Sequence, residues 1–148
     1  MAWLGGEGWD EMLGEVAIAT PTRPYSGNPF MAASLQVEWI STSHREQEGI
    51  AQIVLMHGWG ANAFDLMPLA RELDLPSCDF GFPNAPLPHP QIPDGRAWYD
   101  LENGAGLAES AALLQDYLLK LPEQTGVPLS RTVLGGFSQG GAMTLRVG

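Results

Sequence analysis

The residues best suited to covalent chemistry lie in one short stretch, LGGFSQGGAM, at positions 134–143. Gly136, Ser138 and Gly140 form the pattern G-x-S-x-G, which is typical of a nucleophile elbow, a sharp turn between a strand and a helix. The backbone of the serine is strained in such a turn, and side chains two residues to either side would collide, so glycine occupies both places. The pattern therefore predicts that Ser138 is a nucleophile. It also places the backbone N–H of Gln139 at a helix N-terminus, where an oxyanion is favoured.

Two other interpretations of this stretch remain to be compared with the elbow. The glycines could instead allow tight packing of a strand against a helix around an ordinary serine. The context favours the elbow, because an apolar strand pattern ends at the motif and a helical pattern begins there. A phosphate-binding P-loop needs a lysine after the glycines, and the sequence has none there.

The elements that must position Ser138 follow the order of an α/β fold with a mostly parallel sheet and flanking helices. Residues 50–56, IAQIVLM, are typical of a strand covered on both faces, and residues 35–40, 78–82 and 132–137 predict further strands. One helix is predicted with Asp65 as its N-cap, one over residues 107–121, closed by Pro122 and Gly126, and one from Gln139. The proline-rich residues 83–93 predict an irregular excursion, and residues 1–32 a flexible extension in which Met1, Met12 and Met31 are alternative starts.

Three sequence blocks, in order, give the chain a resemblance to a known family. They are VLMHGWGAN (54–62), FPNAPLPHP with the following GRAWYD (82–100) and GGFSQGGAM (135–143). The chain resembles the carboxylesterase/phospholipase family of α/β-hydrolases, which includes the acyl-protein thioesterases. The resemblance implies that residues 33–148 are the N-terminal portion of an α/β-hydrolase domain, a partial fold whose C-terminal strands are missing.

The same resemblance implies a site and a reaction. Ser138 would be the nucleophile, the backbone N–H groups of Trp59 and Gln139 the oxyanion hole, and Gly136 and Gly140 the elbow glycines. The implied activity is that of a serine esterase, which hydrolyses a small-molecule carboxylic ester or thioester through an acyl-enzyme without a cofactor or a metal. The excursion would border the acyl pocket, which Trp98 and Tyr99 either line or support as buried aromatic side chains.

The partners that a catalytic serine requires are missing from the sequence. The family has an Asp and then a His after the nucleophile, but the residues from Gln139 to Gly148 contain no Asp, Glu or His. His57 is expected to order its own loop, His44 to be a solvated loop residue, and His89 is only a marginal candidate for the base. We therefore expect the triad Asp and His to lie beyond the end of this chain and the chain to be inactive alone. The alternative is an inactive hydrolase-like fragment or a module that binds an acyl group or a peptide.

The composition of the chain argues against binding to nucleic acid, spanning a membrane and holding a metal ion in a Cys/His cluster. Seventeen acidic residues against seven basic ones give a net charge of −10, which disfavours binding to nucleic acid. The sequence has no apolar run of the ~18 residues that span a membrane, and no Cys/His cluster for a metal. The acidic start differs from a signal peptide, so a cytoplasmic location is predicted. The sequence makes no prediction of oligomeric state.

Overall fold

A computed structural model describes residues 34–41 and 51–148 of the chain. The predicted extension over residues 1–32, its alternative starts and His44 lie outside the described residues. The strands are β1 (Val37–Ser41), β2 (Ala51–Met56), β3 (Cys78–Pro83), β4 (Leu87–Pro88), β5 (Arg96–Ala97) and β6 (Thr132–Gly136). The helices are α1 (Ala63–Leu73), α2 (Leu107–Thr125) and α3 (Gln139–Val147), with a short 3₁₀ turn at Leu129–Arg131.

Four of these strands form a mixed sheet in the order β1-β3-β2-β6. Strand β2 pairs in parallel with β3 on one side and with β6 on the other, whereas β1 is antiparallel to β3. Parallel neighbours need crossover connections, and α1 and α2 lie in the connections from β2 to β3 and from β3 to β6. The predicted α/β class with a mostly parallel sheet and flanking helices is therefore confirmed.

The central strand β2 is packed on both of its faces. Val54 and Met56 are fully buried in a cluster that includes side chains of α2 and α3. Ile53 and Leu55 point to the other face and pack against a second cluster, which α1 helps to form. Because successive side chains of a strand alternate between faces, this arrangement needs apolar residues at consecutive positions, which explains the sequence IVLM.

The helix boundaries differ from the sequence prediction at two ends. The N-cap of helix α1 is Asn62, three residues before the predicted N-cap Asp65. The Asn62 side chain accepts from the N–H of Phe64, while the Asp65 carboxylate accepts from the N–H of Asn62 at 2.8 Å. This reciprocal capping box uses Asp65 as the third helical residue. Helix α2 continues through Pro122 to Thr125, four residues beyond the predicted end at 121, and the predicted Gly126 is its C-cap, with a left-handed φ of 75°.

Strand β6 lies at one edge of the described sheet. Three apolar side chains at or near it are exposed: Val133 on the strand at 57%, Phe137 directly after it at 70%, and Leu145 on α3 at 89%. Within the described residues, no helix combines the length and the apolar character needed to cross a membrane.

Candidate active site

Ser138 lies in a strained turn between β6 and α3. Its φ of 52° and ψ of −115° lie outside the regions that residues with a side chain normally adopt. The residue is exposed, between Gly136 at the end of the strand and Gln139 at the start of the helix. The local geometry is therefore the strand-to-helix turn that the G-x-S-x-G pattern predicts, with the serine accessible from outside.

Two glycines allow the chain to form this turn. A Cβ atom on Gly136 would lie 2.3 Å from the carbonyl carbon and oxygen of Gly140. A Cβ atom on Gly140 would lie 2.1 Å from the carbonyl oxygen of Met56 and 2.6 Å from that of His57. These neighbours are backbone atoms that cannot rotate away, so the close approach of α3 to β6 and β2 requires glycine at both positions.

The loop after β2 meets the elbow at the carboxyl ends of two adjacent parallel strands, where ligands bind in open α/β sheets. The Phe137 N–H donates to the carbonyl oxygen of Met56 at 3.0 Å, and a Cβ atom on Gly58 would lie 3.3 Å from the Cβ of Ser138. In the part of the chain that the structure describes, the backbone N–H groups of Trp59 and Gln139 donate no hydrogen bond. Two unpaired donors therefore lie in the elbow and in the loop that contacts it: that of Gln139 directly after the serine, and that of Trp59 in the loop after β2.

The excursion between β3 and α2 holds the loop after β2 in place. The Gly60 N–H donates to the carbonyl oxygen of Arg96 at 2.9 Å, and the Arg96 N–H donates to that of Ala61 at 2.9 Å. The indole N–H of Trp98 donates to the carbonyl oxygen of His57, also at 2.9 Å. The proline-rich segment is therefore an integral part of the site, with a short antiparallel pair, β4 and β5, that the sequence did not predict.

The side chain of Gln139 joins the elbow to the same segment. It is 3% exposed, its Oε1 accepts from the N–H of Trp98 at 2.8 Å, and its Nε2 donates to the carbonyl oxygen of Tyr99 at 2.7 Å. Trp98 is fully buried, so it packs under the site instead of lining a pocket, while Tyr99 is half-buried. The sequence indicated a role only for the backbone of Gln139; the signal for its side chain was an amide in an otherwise small and apolar motif.

His57 has the structural role that its position after a strand predicts. It is fully buried, its Nδ1 lies 2.8 Å from the carbonyl oxygen of Gly58, and its Nε2 accepts from the N–H of Ala85 at 3.0 Å. These contacts require a proton on Nδ1 and none on Nε2, which is the neutral ring. Burial is the main reason that the pKa of His57 lies below its usual value. The ring therefore orders the loop and is not free to accept a proton from Ser138.

One ring nitrogen of His89 is engaged in a similar way. Its Nδ1 accepts from the N–H groups of Gln91 and Ile92 at 3.1 and 3.0 Å, and its ring meets Trp59 edge-on with centroids 4.7 Å apart. The Nε2 atom of His89 has no hydrogen-bond partner within the described ranges, but the nitrogen of each ring that accepts a hydrogen bond, Nε2 of His57 and Nδ1 of His89, is already engaged by backbone N–H groups. No group of three or more His, Cys, Asp or Glu side chains suited to a metal ion occurs in those ranges either.

Comparison with known proteins identifies the family. Residues 38–148 match the sequence profile of the Phospholipase/Carboxylesterase family. The chain belongs to this family of hydrolases. Acyl-protein thioesterase 1 of Yarrowia lipolytica is 34% identical over 114 residues, a match that covers 66% of this chain and 50% of the relative. Acyl-protein thioesterase 1 of Cryptococcus neoformans is 29% identical over 111 residues, covering 64% and 46%. The chain thus spans about half the length of the relatives it matches.

Solved structures of an esterase and of an acyl-protein thioesterase share the fold. The crystal structure of esterase PE8 is 31% identical, with a TM-score of 0.66 over 78% of this chain and 58% of that one. Acyl-protein thioesterase 2 of Zea mays is 27% identical, with a TM-score of 0.50 over 76% and 50%. The predicted α/β-hydrolase fold is confirmed, and the described chain is a partial version of it.

The residues that the sequence predicts as the site of this hydrolase lie close together in the structure. Ser138, its flanking glycines Gly136 and Gly140, and the unpaired amides of Trp59 and Gln139 occupy two loops in direct contact. The catalytic role of each residue remains a prediction.

Proposed function

We propose that this protein is a serine esterase that hydrolyses carboxylic ester or thioester bonds of small-molecule substrates through an acyl-enzyme on Ser138. The observation that carries the proposal is an exposed serine in a strained turn at the N-terminus of α3, beside the unpaired N–H of Trp59. Membership of the Phospholipase/Carboxylesterase family supports hydrolysis, and relatives named acyl-protein thioesterase support a thioester among the substrates.

The proposed reaction uses each group in turn. The Ser138 oxygen attacks the carbonyl carbon of the substrate while its proton passes to a base. The carbonyl oxygen gains negative charge, which the N–H groups of Trp59 and Gln139 and the dipole of α3 stabilise; one such donor contributes about 10²–10³-fold to turnover. The alcohol or thiol then leaves with a proton. Water repeats the attack on the acyl-enzyme, which releases the carboxylic acid and restores Ser138.

The base is the part that the described residues do not supply. A serine hydroxyl is a poor nucleophile without one, and losing a catalytic triad's histidine costs on the order of 10⁶ in turnover. We propose that a His and an orienting Asp come from residues beyond Gly148, in the chain order Ser, Asp, His. In support, Nε2 of His57 and Nδ1 of His89 already accept hydrogen bonds from the backbone, and the relatives are about twice as long as their matched part. Residues 1–148 alone are then inactive. A cytoplasmic location remains a prediction from the sequence.

Labelling with a fluorophosphonate tests the proposal, since this probe reacts with a serine that a base has activated. The protein expressed from its natural coding sequence should be labelled on Ser138, and Ser138→Ala should abolish the label. Ser130→Ala, at another exposed serine, is the matched control and should leave labelling unchanged. Residues 1–148 alone should react far more slowly. If the natural product remains unlabelled, the esterase proposal is wrong and a non-catalytic module that binds an acyl group or a peptide is favoured.

A further inference from the structure

We propose that the side chains of Gln139 and Trp98 act together as positioning residues, which hold the two backbone donors of the oxyanion hole at a fixed distance from each other. We call this pair the Gln139–Trp98 clamp. The proposal rests on the proposed function in one respect, because it takes the amides of Trp59 and Gln139 as the oxyanion donors.

The first half of the clamp fixes the elbow. Both polar atoms of the Gln139 carboxamide are used: Oε1 accepts from the Trp98 N–H at 2.8 Å and Nε2 donates to the Tyr99 carbonyl at 2.7 Å. The residue is 3% exposed, so these bonds form away from competing water. Since the backbone of the same residue supplies one proposed donor, its side chain anchors that donor to the segment that contains Trp98.

The second half of the clamp fixes the opposite loop. The Trp98 indole N–H donates to the carbonyl oxygen of His57 at 2.9 Å, two residues before the proposed donor Trp59. Trp98 itself is fully buried, and its carbonyl oxygen accepts from the hydroxyl of Ser110 on α2. One rigid aromatic residue is therefore bonded to both the elbow and the loop after β2.

Strand pairing alone does not fix the two donors. The parallel ladder between β2 and β6 ends at the pair Met56 and Gly136, before either donor is reached. The loop that follows contains Gly58 and Gly60, and glycine has more conformational freedom than any other residue. Catalytic donors must be held to within about 0.5 Å, and a misplacement of about 1 Å can cost 10²-fold in rate. The hydrogen bonds of Arg96 with Gly60 and Ala61 hold the loop after β2, and the clamp adds the side-chain connection between that loop and the elbow.

Substitutions that keep shape but remove polar atoms test the clamp in the protein expressed from its natural coding sequence. With a soluble ester, Gln139→Met and Trp98→Phe should each lower kcat about 10- to 100-fold while KM changes by less than about twofold, because the donors act mainly on the transition state. Gln52→Met is the matched control: Gln52 is a fully buried glutamine at the other end of β2, bonded to Thr132, so its loss affects folding without touching the site. Gln52→Met should leave kcat within about twofold of that of the unsubstituted protein.

The double variant Gln139→Met/Trp98→Phe decides whether the two residues act as one unit. Its kcat should lie no more than about threefold below the lower of the two kcat values of the single variants. Either substitution alone already breaks the connection between the elbow and the loop after β2, so the second adds little. Three results would overturn the clamp: a loss of kcat in the double variant equal to the product of the two single losses, an effect on KM without one on kcat, or an equal loss of kcat in Gln52→Met.

A second readout separates failure of the clamp from failure of the proposed function. The exchange rate of the Trp98 indole proton, measured by NMR, should rise at least about tenfold in Gln139→Met relative to Gln52→Met, whether or not the protein hydrolyses esters. Unchanged exchange would show that Gln139 does not hold Trp98, and the clamp would then be wrong even if the esterase activity is present.

Discussion

Replacing Gly140 by alanine tests the packing of the elbow most directly. The new Cβ atom would lie 2.1 Å from the carbonyl oxygen of Met56, whereas ordinary contact begins near 3.4 Å. The oxygen and the Cβ must therefore separate by about 1.3 Å, and a second oxygen, that of His57, lies 2.6 Å from the same Cβ. Both obstacles are backbone atoms at the end of the central strand, so relief requires α3 to move away from β2.

The change in the free energy of unfolding of Gly140→Ala follows from two opposing effects. Overpacking costs about 1–3 kcal/mol, and the rigid backbone on this side places the cost at the upper end, about 3 kcal/mol. Alanine in place of glycine within a helix returns about 1 kcal/mol. Gly140→Ala should therefore lower the free energy of unfolding by about 2 kcal/mol. Because the movement also displaces Ser138 and Gln139, fluorophosphonate labelling of Ser138 should fall more than tenfold.

The neighbouring glycine provides the control. A Cβ atom on Gly141 meets nothing closer than the carbonyl oxygen of Gly136 at 3.2 Å, so Gly141→Ala retains most of the gain in helix propensity. Urea unfolding should find it as stable as the parent or up to about 1 kcal/mol more stable, with an unchanged m-value. Equal stability of the two variants, or undiminished labelling in Gly140→Ala, would refute the assignment of Gly140 as a steric requirement of the elbow.

Three further predictions concern stability and association. Burial lowers the pKa of His57 in the folded state, so near and below the ordinary pKa of 6.5 the unfolded state binds more protons than the folded state. The free energy of unfolding should therefore fall from pH 7 to pH 5.5. In urea titrations, His57→Gln should make this dependence on pH weaker. Asn62→Ala removes the cap of α1 and should lower the free energy of unfolding by about 1 kcal/mol, measured in the same way. Residues 1–148 alone should self-associate through the β6 edge; Val133→Lys should reduce light scattering, and Leu119→Lys, on exposed α2 surface, should not.

The sequence predicted those features that depend on neighbouring residues. The apolar run of β2, the start of α3 at Gln139 and the elbow around Ser138 were found because their signals are local: alternation between faces, a strand that ends at a motif, and glycines at fixed spacing. The start of α1 was misplaced because two residues, Asn62 and Asp65, can each cap a helix, and only the folded chain shows that both act in one capping box.

The contacts that hold the site together were not predictable in this way. Gln139 binds the backbone of a residue 41 positions earlier in the chain, and Trp98 binds the carbonyl of a residue 41 positions before it. Such contacts depend on how the irregular excursion folds back over the sheet, and its prolines predict only that it is irregular. The burial of Trp98 resolves the alternative between a pocket wall and a packing residue for the same reason.

The described residues divide the proposed chemistry into two parts. The groups that would stabilise negative charge, the amides of Trp59 and Gln139 and the start of α3, are assembled from β2, β6 and the excursion, all within residues 51–148. The group that would move the proton is not among them, since both nitrogens of the buried His57 ring are engaged by the backbone and burial lowers the pKa of this ring. The groups that would stabilise charge therefore depend on the packing of β2, β6 and the excursion. Substitutions in the Gln139–Trp98 clamp should consequently alter the oxyanion donors without altering the ionisation of the base, so kcat should fall by a similar factor at every pH.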